Sequence, residues 1–333
     1  MRTLVKLILT AGTLFWAGTV LGQAPMNIRV GNATANDAQA AMNAFFAEHL
    51  TKNSGGRFKA SSHPGSALGT NAQMLSTLQA GALQVMVIPT GFLAAAVPEM
   101  GLFDMPFLLP GEPAKITAFT AKSKAAAKMK EIADQRGIQV FAFYGVGAQS
   151  LLTKFPVTKL ADIQGKRFRV IPSPPRVGAY NDWGSIPRPM ELGEVYSALQ
   201  QGTVDGIENP SDVIYRMKLH EAARYYTLTL HSAFVNALIF SKKWFDGLSK
   251  DLQDVVLRTA RETIVFGDEA NTKAQVEGLE GLKKDAIVTR MPEAEIQKMK
   301  DLNRAGIWKK MRDDPQRGAI VKLLEEDIAT YFK

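Results

Sequence analysis

The side chains that could carry acid–base or nucleophilic chemistry are few and poorly spaced for it. His49, His63, His220 and His231 are the only histidines among 333 residues, and none stands in H-E-x-x-H or other metal-ligand spacing. His49 falls in an amphipathic stretch and His63 precedes Pro64 in a loop. His231 sits in an apolar, strand-like segment, where a hydrogen-bonded structural histidine is favoured over a catalytic one. The chain has no cysteine, which removes a thiol nucleophile, a disulfide framework and a lipidated N-terminal cysteine together. There is no G-x-S-x-G elbow and no phosphate-binding P-loop. The glycines of GNATAND and GVGAQS match no dinucleotide fingerprint. Glu191, Glu194, Asp205 and Glu208 could pair in space, but sequence spacing alone does not make them a glycosidase pair. The inventory points to binding rather than turnover.

One stretch suggests what kind of binding. In GKRFRV, residues 165–170, Phe168 and Val170 share one face of a predicted strand and Arg169 lies between them. Pro172, Pro174 and Pro175 close the segment. A guanidinium in a buried strand offers a planar fork suited to a carboxylate. The alternatives are a surface arginine or a partner for a protein carboxylate. The pattern does not separate Arg169 from Arg167, which lies two residues earlier on the same face.

Length and composition bound the rest. At roughly 150 residues per domain, a chain of 333 residues predicts two. It is 46% hydrophobic and 22% charged, a globular composition. Arg2 and Lys6 precede the uncharged run LILTAGTLFWAGTVLG, which reads as a secretory signal peptide over residues 1–24. A membrane anchor is disfavoured by the run's length and small-residue end, and cleavage is expected after Gly22 or Ala24. The formal charge of +8 falls to +6 without Arg2 and Lys6, with bases scattered among acids. Nucleic acid is therefore not an expected partner, and no cofactor is expected.

The elements that must position Arg169 follow from periodicity. MNIRVGNA, RFKASSH and ALQVMVIPT alternate with helical stretches that end at Gly55–Gly56 and Gly81, a β-α-β-α-β run that predicts a parallel sheet with helices on its faces. KITAFTAKSKAAAKMKEIADQRG reads as one long helix, and IQVFAFYGVG and QSLLTK as two strands. ELGEVYSALQQGTVDGIEN repeats the helix–glycine–strand order of MLSTLQAGALQVMV. A helix is expected from Asn209 to Arg224, and a long one from Ser249 to Lys284 that Gly267 and Gly278 bend. Two α/β domains with several crossings and a cleft between them fit this order.

GKRFRV followed by MELGEVYSALQQGTVDGIENP resembles the signature of solute-binding proteins of TRAP (tripartite ATP-independent periplasmic) transporters. The likeness extends through FFAEHLTKNSGGRFKASSHPGSALGTNAQMLSTLQAGALQVMV, VPEMGLFDMPFLL and YYTLTLHSAFVNALIFSKKWFDGLSKDLQDVV, nearly all of the mature chain. It implies an α/β two-domain periplasmic binding protein with a ligand cleft between the domains and a long hinge-crossing helix. Domain I would comprise 25–146 plus 235–274, and domain II 147–234 plus 275–333. The function implied is capture of a small organic acid in the periplasm and delivery to an integral-membrane permease, by a monomer that is not an enzyme. The resemblance singles out Arg169 as the carboxylate grip and Asn209 as an orienting amide. Gln149 stands where sialic-acid binders carry a second basic residue, and Leu192 where they carry an aromatic one, which argues against a sialic-acid ligand. Thr90 and Trp183 are further candidates for the pocket, and Glu208 for a buried polar network with His231. A binding module for a sensor, an exported enzyme acting on organic acids and an ABC-transporter binding protein remain alternatives, the last disfavoured by segment order.

Overall fold

A computed structural model describes residues 24–332. The expected signal peptide, residues 1–24, lies outside them but for Ala24. In chain order the structure runs β1 (Met26–Gly31), α1 (Ala38–Asn53), β2 (Phe58–His63), α2 (Asn71–Gln79), β3 (Val85–Pro89), the single turn α3 (Thr90–Leu93), α4 (Pro113–Lys122) and α5 (Lys124–Asp134). There follow β4 (Ile138–Thr153), β5 (Arg167–Val170), α6 (Pro174–Asp182), β6 (Ile186–Pro189), α7 (Val195–Gln200), β7 (Gly206–Asn209) and α8 (Ser211–Arg216). The rest comprises β8 (Tyr225–Ser241), α9 (Lys242–Asp246), α10 (Lys250–Asp285), β9 (Ile287–Arg290), α11 (Glu293–Asn303), α12 (Lys309–Arg312) and α13 (Gly318–Tyr331).

Local chemistry sets the helix limits. Asp37 caps α1 by accepting from the Ala40 amide, and Thr70 and Gln73 form a reciprocal capping box on α2. Past α1, Gly55 and Gly56 take positive φ values of 62° and 82°, a backbone that side chains resist. Val85 to Ile88 of β3 are all buried, as a strand covered on both faces requires.

The strands form one sheet in the order β2-β1-β3-β8-β4-β7-β5-β6, with β9 beside β8. Two parallel sets, β2-β1-β3 and β7-β5-β6, hang on a long antiparallel pair. β3 pairs with the C-terminal part of β8, from Val85↔Phe240 to Pro89↔Asn236. β7 pairs with the end of β4, from Ser150↔Asn209 to Thr153↔Gly206. β4 and β8 run together from Ile138↔Ser241 to Thr153↔Tyr225, with irregularities between Val140 and Ala142, Gly145 and Gly147, and Gln149 and Leu151. The region expected as two strands is therefore one. Its glycines serve close packing: a Cβ on Gly145 would lie 2.5 Å from the Pro113 carbonyl, and one on Gly147 2.5 Å from the Gln275 side chain.

Two expected helices differ as well. The stretch from Lys115 to Gly137 divides at Ser123, whose Oγ accepts from the Ala126 amide to start α5 and donates to Asp327 of α13. In the segment after Asn209 the α-helix ends at Arg216, because Lys218 adopts φ +56°, and a single 3-10 turn follows at Leu219–Glu221. α13 also packs on α4, with Phe119 edge-on to Tyr331, so the chain's end returns to the first strand set although residues 275–333 were expected with the second. Among the described residues no helix is long and apolar enough to cross a membrane.

α10 is unbroken over 36 residues and lies against α1, α8 and β4. Gly267 and Gly278 do not interrupt it. A Cβ on Gly267 would meet Met42 at 2.4 Å, and one on Gly278 would lie 2.7 Å from the backbone of Asp212. The Met42 side chain can shift, whereas the α8 backbone cannot. Gly278→Ala is therefore expected to cost about 1–3 kcal/mol by overpacking. Thermal denaturation should show a melting temperature several degrees lower, while the exposed Lys284→Ala changes it little.

Candidate functional site

The two parallel sets end facing each other. The loop after β1, the end of β3, and β5 and β7 bring residues to one cavity at the carboxyl ends of the parallel strands, the usual ligand position in open α/β sheets. The space between its lining atoms amounts to about 350 Å³, open solvent at the mouth included. Thr34, Gln39, Asn71 and Phe92 line it from the first set, and Arg169, Leu192, Asn209 and Phe234 from the second set and β8.

Arg169 is the cation of this lining, and only 1% of its surface is exposed. Its Nε and Nη2 donate to the Met190 carbonyl at 3.0 and 2.8 Å. That anchors one edge of the guanidinium and leaves Nη1 without a hydrogen bond among the described residues. No carboxylate among them lies within 4.0 Å of it. Burial pulls its pKa down to about 10, against the more distant pull of Glu208 and Glu191. The group thus stays cationic at neutral pH with no counter-charge in contact.

Arg176 of α6 is just as buried, but both of its terminal nitrogens are paired, with Nε left unpartnered among the described residues. Nη1 donates to Glu208 at 3.1 Å, and Nη2 to Asp104 at 3.2 Å and to the Ala233 carbonyl at 3.4 Å. Burial opposes its charge, yet Glu208 and Asp104 outweigh that and raise its pKa. Glu208 also accepts from His231 Nε2 at 2.7 Å and from the Tyr180 hydroxyl at 3.3 Å. Burial pushes Glu208 up, but Arg176, His231 and Arg169 hold it below its usual range. Burial pushes His231 down despite Glu208, and its Nδ1 pairs with the Thr229 hydroxyl at 2.7 Å. A neutral imidazole that donates to Glu208 and accepts from Thr229 fits both contacts, so His231 is structural.

The polar residues around Arg169 are mostly committed elsewhere. Asn209 and Asn71 keep unpartnered atoms: Asn209 Nδ2 is buried without a partner, its backbone carbonyl alone accepting from Tyr226, and Asn71 Oδ1 is likewise unpartnered. Asn71 Nδ2 donates to Glu191 at 3.0 Å, and the Ala72 amide donates to the same carboxylate at 3.3 Å, so Glu191 ties the second set to the start of α2. Across the cleft, Asp212 accepts from the Ala38 amide at 3.4 Å. Among the described residues no group of three or more acids and histidines is arranged to hold a metal.

Of the sequence candidates, Arg169, Asn209 and Leu192 meet on the cavity wall. Thr90, Gln149 and Trp183 do not line it. The Thr90 hydroxyl donates to the Val235 carbonyl at 3.1 Å, bracing the turn beside Pro89. Gln149 is buried in β4 with both amide atoms unpartnered. Trp183 is a core residue, its indole donating to the Met299 carbonyl at 3.1 Å and its ring edge-on to Tyr180 and His231. Arg167 is explained by Asp205, which it grips with Nε at 3.0 Å and Nη2 at 2.7 Å at the half-exposed start of β5. The two arginines share a strand face but sit at opposite ends of it, and only Arg169 reaches the cavity. Sequence reasoning missed Arg176, because nothing in PPRVGAYND marks a helix residue whose partners lie 72 and 32 positions away.

Residues 30–314 match the family described as bacterial extracellular solute-binding protein, family 7. The ectoine/5-hydroxyectoine-binding periplasmic protein of Ruegeria pomeroyi is 32% identical over 212 residues, which span 62% of each chain. The 2,3-diketo-L-gulonate-binding periplasmic protein of Escherichia coli is 26% identical over 98% of this chain and 99% of its own. Among solved structures, the sugar acid binding protein of Advenella mimigardefordensis in complex with galactonate superposes with a TM-score of 0.85 at 26% identity, covering 91% of this chain and 99% of that one. A TRAP periplasmic solute binding protein of Desulfovibrio salexigens with bound orotic acid gives 0.85 at 28% identity, covering 92% and 99%.

Two predictions follow from the contrast of the arginines and from the α1 cap. In the ligand-free protein, Arg169→Met should leave the urea midpoint unchanged or raise it, since an uncompensated buried charge is removed. Arg176→Met should cost about 3–5 kcal/mol, since it strands Glu208 and Asp104; equal losses would show that the Arg169 charge is already compensated. Asp37 titrates near neutrality, because burial raises it from its ordinary value of 3.8 to about 7, with Asp212 adding to the rise. The folded state then holds the proton more tightly, so this stabilisation is complete below pH 3.8 and lost as pH rises through 7. Chemical denaturation from pH 5 to 7.5 should show wild-type stability falling relative to Asp37→Asn, by at most about 1.4 kcal/mol per pH unit.

Proposed function

The chain belongs to family 7 of the bacterial extracellular solute-binding proteins, the TRAP type, and on that premise we propose that it captures a small organic carboxylate between its two strand sets and delivers it to a TRAP permease. The observation that carries this reading is Arg169, a buried guanidinium with one edge fixed by Met190 and no carboxylate of its own in contact. A ligand carboxylate supplies the missing charge through charge-assisted hydrogen bonds. The free Nδ2 of Asn209 on the same wall donates a further bond and orients it, and Leu192 packs against the ligand's body. Thr90 and Trp183 support the walls instead of touching ligand, and Gln149 adds no charge to the site.

The protein acts as a binding protein, not an enzyme. It works in the periplasm after removal of a leader at residues 1–24, as a monomer with the permease as its membrane partner. Periplasmic placement is supported by the names of its relatives. Closure is a hinge motion of residues 25–146 with 235–274 against 147–234 with most of 275–333. The irregularity of β4 between Gly145 and Gly147, opposite Val235 and Phe234, supports a pivot there. α13 stays with the first part, on the evidence of its packing against α4 and α5. Ligand favours the closed state because only there does the carboxylate meet both Arg169 and the first-set wall.

Isothermal titration with an organic-acid panel tests the reading. Arg169→Met should weaken binding of the tightest acid by at least 100-fold, about 2.7 kcal/mol, without unfolding the protein. Affinity within threefold of wild type would remove Arg169 from the role.

A further inference from the structure

We infer that the ligand is a monocarboxylate with an apolar body and only one or two hydrogen-bond donors such as a hydroxyl, in preference to a dicarboxylate or a polyhydroxy sugar acid. The inference rests on the carboxylate reading above and concerns what the rest of the cavity accepts.

The polar side chains of the wall can be accounted for one by one. The Thr34 hydroxyl donates to Asp37 at 2.8 Å and accepts from Asn32 at 2.9 Å. Gln39 donates to Asp37 at 3.3 Å and accepts from Asn236 at 2.5 Å. Both are spent within the protein. Asn71 donates its amide to Glu191, and because a carboxylate only accepts, the atom left over is Oδ1, which is buried and unpartnered. What remains on the side chains for a ligand is the cation of Arg169, the Asn209 amide, whose Nδ2 and Oδ1 both lack a partner among the described residues, and one acceptor on Asn71. The other walls are Pro89, Phe92, Ile171, Leu192, Val213 and Phe234.

Each ligand class meets this wall differently. A second carboxylate finds no second cation, since among the described residues Arg169 is the only basic one lining the cavity. It would rest on apolar side chains or on Asn71 Oδ1, itself an acceptor, with Glu191 and Asp37 bonded just behind the amides. Burying an unpaired charge there is prohibitive. A sugar acid brings several hydroxyls to a wall with two free side-chain acceptors, Asn71 Oδ1 and Asn209 Oδ1, and the surplus would go unsatisfied. A single hydroxyl satisfies Asn71 Oδ1, and an aliphatic or aromatic body covers the apolar remainder.

The experiment is isothermal titration of the leaderless protein with both enantiomers of 2-hydroxy-4-methylpentanoate, 4-methyl-2-oxopentanoate, succinate and galactonate, on wild type and Arg169→Met. One enantiomer of the hydroxy acid should bind at least tenfold more tightly than succinate and galactonate, and more tightly than the oxo acid, with all binding lost in Arg169→Met. Succinate or galactonate binding as tightly as the hydroxy acid, yet lost in Arg169→Met, overturns the class while leaving carboxylate capture intact. An oxo acid that matches the hydroxy acid overturns the donor requirement. Binding by none of the four overturns the class, and a wider acid panel then judges carboxylate capture alone. Binding that persists in Arg169→Met overturns both readings.

Discussion

A buried positive charge without a partner is the constraint around which this molecule is arranged. Taking a guanidinium out of water is costly unless an anion and hydrogen bonds replace the solvent. Arg169 receives only the Met190 carbonyl. The nearest candidates for neutralising it are held off by other contacts. Glu208, whose field reaches Arg169, is engaged by Arg176, His231 and Tyr180. Glu191 is turned to Asn71 and the α2 terminus. The network around Arg176 therefore does more than fill the core: it keeps a carboxylate from cancelling the charge that a ligand must answer.

The same arrangement links binding to closure. Arg176 belongs to α6, yet it reaches Asp104 in the segment before α4, so one buried ion pair spans the two strand sets. Glu191 and Asp212 each accept a helix-terminal amide from the opposite side. These contacts define how closely the halves approach, and glycines at the seam permit it: a Cβ on Gly91 would lie 2.2 Å from Asp104 and 2.8 Å from Ile171. A ligand carboxylate adds to contacts that already favour approach, and a neutral molecule of the same shape leaves the charge unanswered.

Much of the fold was legible because it is written in local chemistry. The capping box at Thr70, the glycine stops after α1 and α2, and the apolar run of β3 are short-range signals, and the repeat of helix, glycine and strand is visible in both halves. The errors came where tertiary contacts decide. Gly145 and Gly147 look like a strand break but allow α4 and α10 to approach β4. Ser123 looks like a surface residue within a long helix, and is a cap fixed by Asp327. At the site, Arg169 and Asn209 were picked out by family likeness; periodicity alone could not separate Arg169 from Arg167, because their difference lies in which end of β5 faces the cavity. Trp183 and Thr90 were sensible pocket candidates by type, but their polar atoms are spent on the carbonyls of Met299 and Val235. Arg176 carried no sequence signal, since burial of a helix arginine is decided by acids far along the chain.

The central claim is that binding is driven by charge complementarity at Arg169. The most direct measurement compares the tightest-binding acid of an organic-acid panel with its own primary amide, by isothermal titration on the wild-type protein. The two differ little in shape and differ in charge. The account predicts that the amide binds at least 100-fold more weakly, about 2.7 kcal/mol, or not at all. An amide that binds as tightly as the acid would contradict it.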